Sequence, residues 1–174
     1  MSDPHGDDGR MLEQQIRARL PGATVVYVDR RSAPFEADGI AAMLPRFGRV
    51  IAAIYSVPQP GQVGTQTSLD AMSAPKETAG TVLQRLLDQA GDRTVVLAMG
   101  SPYLILSYPN IQSYACAFSS VSTSEAAMVR ALFGEIPIHG KLPVTLPGVA
   151  KRGDGMDLNS SAASSGLQIG RAHV

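Results

Sequence analysis

The chain has 174 residues, 44% of them hydrophobic and 17% charged, which is the size and balance of one globular domain with a buried core. Fifteen Lys and Arg offset fifteen Asp and Glu, so no net field draws the chain to phosphate backbones or anionic lipid, and neither nucleic acid nor a membrane is expected as a partner. Cys116 is the single cysteine, which excludes an internal disulfide, and the N-terminal Met-Ser-Asp-Pro-His-Gly-Asp-Asp has neither the basic nor the apolar region of a secretion signal, so a cytoplasmic location is expected.

Apolar spacing at Met11, Leu12, Ile16 and Leu20 predicts an amphipathic helix closed by Pro21-Gly22, and the β-branched run 23–29, centred on 24–28, predicts a strand after it. A weaker helix is predicted over 36–44. The stretch 49–57 is apolar almost throughout, as a strand covered on both faces must be, and it implies a parallel sheet. Pro, Gly, Gln, Thr and Ser make 59–73 a loop, after which 76–90 carries Val82, Leu83, Leu86 and Leu87 at helical spacing and stops at Gly91. The alternation continues with a buried strand over 94–99, a short helix over 102–107, a strand over 113–118 and a helix over 124–133 that ends at Gly134. Repeats of this kind predict an α/β fold, a three-layer α/β sandwich with a mostly parallel sheet, over residues 1–150.

From Lys151 onward Ser, Ala, Gly and Asn dominate, and 151–174 is expected to be a disordered tail that packs nothing. Its end has a separate explanation: read in frame after Gln168, 169–174 matches the translation of a common sequencing-library adapter, and it is set aside from fold reasoning.

Motifs that suggest chemistry mostly dissolve. The run from Gly134 to Lys141 resembles a phosphate loop, but it has one residue too many between its glycines and Leu142 where Ser or Thr would hold magnesium. Arg152-Gly153-Asp154 and the sequon at Asn159 lie in the polar tail and carry no expectation. Asp3, His5, Asp7 and Asp8 are ligand types without a frame, so no metal and no cofactor is expected. Neither His139 nor His173 stands in a nucleophile signature, and no Gly-x-Ser-x-Gly elbow occurs, so a hydrolase triad has no support. Gly100, Ser101, Pro102 and Tyr103 follow the strand 94–99, at the carboxyl end of a central strand where open α/β sheets bind ligands. They read either as a plain strand-to-helix turn or as a substrate or domain contact.

Three segments taken together, Val95 to Tyr103, Tyr114 to Phe118 and Ala131-Leu-Phe-Gly-Glu-Ile-Pro-Ile-His-Gly-Lys-Leu-Pro-Val-Thr-Leu-Pro147, resemble the C-terminal domain of family 3 glycoside hydrolases. The match spans about 94–147, with looser similarity back to Met11. The resemblance implies an accessory α/β domain whose partner is an N-terminal (β/α)8 barrel carrying the nucleophilic Asp, with carbohydrate substrate reached through that barrel. Retaining hydrolysis needs two carboxyl groups about 5 Å apart, and this chain cannot hold the barrel. In the family's β-glucosidase branch the acid/base Glu falls at the position of Thr123. Glu125 stands two residues later, at the positive end of its own helix, a sufficient structural reason for it to be there. The wording around His139 looks more like the β-N-acetylhexosaminidase branch, whose acid/base comes from a barrel loop. No catalytic residue therefore carries over. The resemblance also implies a strand ahead of the first helix, which this chain lacks, as a fragment would. The expected function is that of an accessory domain of an enzyme hydrolysing O-glycosyl bonds, inert alone; the rival is a stand-alone α/β ligand-binding or regulatory module using the 100–103 turn.

Overall fold

The computed structural model describes residues 8–29, 32–55 and 79–160. In chain order they form α1 (Arg10–Arg19), α2 (Ala33–Met43) with a 3-10 turn at Leu44–Arg46, β1 (Val50–Tyr55), α3 (Ala79–Ala90) with a 3-10 turn at Gly91–Arg93, β2 (Thr94–Met99), α4 (Leu104–Ser107), β3 (Tyr114–Ala117) and α5 (Ser122–Leu132). The strands make one sheet in the order β1-β2-β3, parallel throughout, with Val50 opposite Thr94 and Val96 opposite Tyr114.

Helices cover both faces, and the alternation of side chains along β2 decides which residue meets which layer. Val95 and Leu97 face Leu12 and Ile16 of α1 and Val129 and Leu132 of α5. Val96 faces Leu83 and Leu87 of α3, joined by Ala52 and Ile54 of β1. A satellite cluster of Ala33, Ala37 and Ile40 of α2 with Val82 of α3 and Val28 completes the second layer. Every residue of β2 is buried, the burial that a central parallel strand requires. This is the three-layer arrangement read from the sequence, with element ends displaced by one to three residues where helices fray.

Two expectations fail, for identifiable reasons. Residues 23–29 form no strand among the described residues, although Ala23 packs into the α1 and α5 layer and Val28 into the α2 and α3 layer. Strand propensity needs a neighbouring backbone to be realised, and among the described residues none pairs with this segment. The second failure is the tail. Residues 151–160 fold back as the second limb of an irregular hairpin: Ile138 and Leu158 exchange backbone bonds of 2.8 and 2.9 Å, Leu142 N donates to Asp154 O at 2.8 Å, and Gly153 N donates to Leu142 O at 2.8 Å. Lys141 Nζ reaches Asp157 at 2.9 Å and the Gly155 carbonyl at 3.0 Å. A β-carbon on Gly155 would be driven into the Gly140 carbonyl oxygen, so the close approach requires glycine. Composition weighs burial, and all of 151–160 is indeed exposed; what orders the segment is hydrogen bonding and charge. The remainder of the expected tail (161–174), the loop 59–73 and Asp3, His5 and Asp7 lie outside the described residues.

The hairpin has a measurable consequence. Truncation after Ala150 is expected to cost about 1–2 kcal/mol relative to truncation after Ser160, because several exposed hydrogen bonds are lost together. A melting temperature lower by roughly 2–8 °C follows for a chain of this size. Equal melting temperatures for the two truncations would show that the pairing contributes nothing.

Candidate functional site

The four residues singled out from sequence sit together at the carboxyl end of β2. Gly100 takes φ 116°, a left-handed conformation that favours glycine, and its N–H donates to Ala117 O at 2.8 Å, tying the turn to the end of β3. Ser101 Oγ accepts from the Tyr103 N–H at 3.4 Å, Pro102 is buried, and its carbonyl accepts the Tyr114 hydroxyl at 3.0 Å. Tyr103 itself is 47% exposed. Because the strands are parallel, Phe118 and Val121, which follow β3, emerge at the same end and are exposed as well. The turn is thus a structural corner that presents an apolar surface.

Chemistry needs titratable groups, and several of those among the described residues are engaged in structure. Glu125 is 1% exposed. Its carboxylate does not stop at the positive end of its own helix, as the sequence suggested, but turns onto the N-terminus of α1. Oε1 accepts from the Gly9 N–H at 2.8 Å and the Tyr55 hydroxyl at 2.9 Å, while Oε2 accepts from the Leu12 N–H at 2.9 Å. Gly9 precedes the first turn of α1, has no side chain to cap it and takes φ 84°. Glu125 supplies the missing cap from more than a hundred residues away. Burial, reinforced by the Glu125 carboxylate, pushes the Tyr55 phenol far above its usual range, so it remains a donor. Beside it, burial and then the Glu13 carboxylate push Tyr27 up to about 12, and its hydroxyl donates to Glu13 at 2.7 Å.

Three carboxyl groups among the described residues are held in their ionised form by neighbouring side chains. Arg17 and then Tyr27 hold Glu13 below the usual carboxylate range, Arg19 does the same for Glu135, and Lys141 followed by His139 does so for Asp157. Burial pushes the Cys116 thiol up to about 11, which leaves it without the thiolate a nucleophile needs. Thr123, at the position where the resemblance would put an acid, is an exposed hydroxyl. Among the described residues no group of three His, Cys, Asp or Glu side chains is placed to hold a metal, and no helix is long and apolar enough to cross a membrane. Comparison with models of protein families, with curated proteins and with solved structures returned no match.

The network around Glu125 was the feature that sequence reasoning missed, since only the first-turn position of Glu125 was visible in it. Its energetic weight can be measured. A carboxylate at a helix terminus contributes about 0.3–1 kcal/mol, whereas hydrogen bonds to a buried charged acceptor contribute about 1.5–3 kcal/mol each. Glu125→Gln turns an amide N–H₂ toward a donor and is expected to destabilise the chain by about 2–4 kcal/mol in urea unfolding. A loss below about 0.5 kcal/mol would mean that the carboxylate acts only as a helix-end charge.

Proposed function

We propose that this chain is the accessory α/β domain of an enzyme similar to family 3 glycoside hydrolases, of the β-N-acetylhexosaminidase-like kind, serving carbohydrate metabolism through hydrolysis of O-glycosyl bonds. The reading rests on the resemblance over 94–147. The structural observation that favours it is the fate of Glu125: the only carboxylate near the place where a β-glucosidase would keep its acid is buried and shared among three donors. A general acid must reach the leaving-group oxygen and release a proton there. Glu125 is turned into the core instead. In this proposal the nucleophile and the acid/base both belong to a (β/α)8 barrel, and the exposed Tyr103, Phe118 and Val121 at the carboxyl end of the sheet, beside the 100–103 turn, supply the surface that meets it.

The purified chain is expected to release no nitrophenol from aryl β-N-acetylglucosaminide or aryl β-glucoside, because an oxocarbenium-like transition state without a facing nucleophile is unsupported. Joined to its barrel, Glu125→Gln is expected to keep wild-type kcat below the melting temperature of the variant. A loss of about a hundredfold or more in kcat that added azide restores would identify Glu125 as the acid and overturn the reading.

A further inference from the structure

An aspartate followed by glycine is prone to close on itself: with no β-carbon to shield it, the glycine nitrogen attacks the aspartate carboxyl carbon. The chain holds three such pairs, Asp8-Gly9, Asp38-Gly39 and Asp154-Gly155. The fold treats them differently. The Gly9 N–H is buried and donates to Glu125 Oε1 at 2.8 Å. Gly39 lies inside α2, where helical bonding engages its N–H and fixes the backbone on both sides of it. Asp154 and Gly155 are both exposed, and among the described residues the Gly155 N–H has no acceptor.

Two contacts of the hairpin do more than leave that nitrogen free. The carbonyl oxygen of the peptide that joins Asp154 to Gly155 accepts the Leu142 N–H at 2.8 Å, which polarises the peptide and acidifies the Gly155 N–H. Asp154 Oδ2 accepts the Lys151 N–H at 2.7 Å, so a donor already stands at an oxygen on which charge develops when the nitrogen adds. Packing fixes glycine at 155, because a β-carbon there would be driven into the Gly140 carbonyl oxygen. The close approach that shuts the hairpin therefore keeps its amide unshielded.

We infer that Asp154-Gly155 is a self-modification site, at which the folded chain forms a succinimide and then an isoaspartyl bond that opens the hairpin. In the first step the protonated carboxyl reacts. The bond from Gly155 N to Asp154 Cγ forms, the Cγ–Oδ1 bond breaks, and water leaves with the amide proton and the carboxyl proton. In the second step water adds to the main-chain carbonyl of the ring and breaks its bond to the Gly155 nitrogen. The chain then runs through Cγ and is one methylene longer. The carbonyl that Leu142 bonded has left the main chain, and the pairing of Leu142 with Gly153 and of Ile138 with Leu158 loses its register.

The test is to age the full chain in mildly acidic buffer below its melting temperature. Fragmentation mass spectrometry locates isoaspartate, and methyl transfer from S-adenosylmethionine by an isoaspartyl methyltransferase counts it. A product lighter by one water, followed by isoaspartate, is expected at Asp154 at a rate about tenfold or more above those at Asp8 and Asp38. In urea, where Gly9 and Gly39 lose their bonds, the three rates should converge. The folded rate at Asp154 should at least equal that in a synthetic peptide of residues 151–160. The aged form, isolated by chromatography, should lose amide protection at Ile138 and Leu142. Asp154→Glu, which could close only a less favourable six-membered ring, should keep that protection through the same ageing. Isoaspartate as abundant at Asp8 or Asp38 in the folded chain, a folded rate below that of the peptide, or unchanged protection in the aged form would overturn the inference.

Discussion

The carboxylate of Glu125 is the constraint on which the arrangement of layers depends. It belongs to α5, caps α1 through Gly9 and Leu12, and holds the end of β1 through Tyr55. A buried charge of this kind is costly unless every lone pair it turns inward is met by a donor. Here two backbone N–H groups that a helix leaves without an internal partner, and one phenol kept protonated by its surroundings, meet that requirement. The cap also sets the position of α1, so Leu12 and Ile16 fall onto Val95 and Leu97. Farther along the same helix, Arg19 pairs with Glu135 and lies over the Phe133 ring at 5.7 Å, which ties its other end to the residues that follow α5.

With α1 and α5 fixed on one face and α3 on the other, the central strand has no access to water, and the polar groups that remain are committed to structure. Among the described residues, neighbouring cations hold Glu13 and Glu135 ionised, burial keeps Cys116 protonated, and the buried Glu125 carboxylate is met by three donors. Such a domain can present a surface and support a neighbour. The carboxyl end of the sheet, where Gly100 turns the chain and Tyr103 and Phe118 stand exposed, is one part of the described molecule with unspent apolar area.

Much of this was legible in the sequence because it is local. The apolar run at β1, the fully apolar β2 and the helical spacing of Val82, Leu83 and Leu87 each state their period within a dozen residues. The turn at Gly100 announces itself through Gly-Ser-Pro. What escaped depends on partners distant in the chain. The 23–29 run has the composition of a strand, but strand formation belongs to a pair, and the missing member cannot be seen in the run itself. Residues 151–160 have little to bury and were read as a tail, while their order comes from backbone bonds to Ile138 and Leu142 and from Asp157 facing Lys141. Glu125 could be placed on its helix, but nothing near it in sequence points to Gly9 or Tyr55.

Native-state hydrogen exchange tests the central claim, that the Glu125 carboxylate is structural and caps α1. The Gly9 and Leu12 amides should then exchange only through global unfolding, as slowly as Val96 in the middle of the sheet, although first-turn helix amides ordinarily open freely. Rapid exchange at Gly9 and Leu12 beside a protected Val96 would show the carboxylate free of the helix and contradict the account.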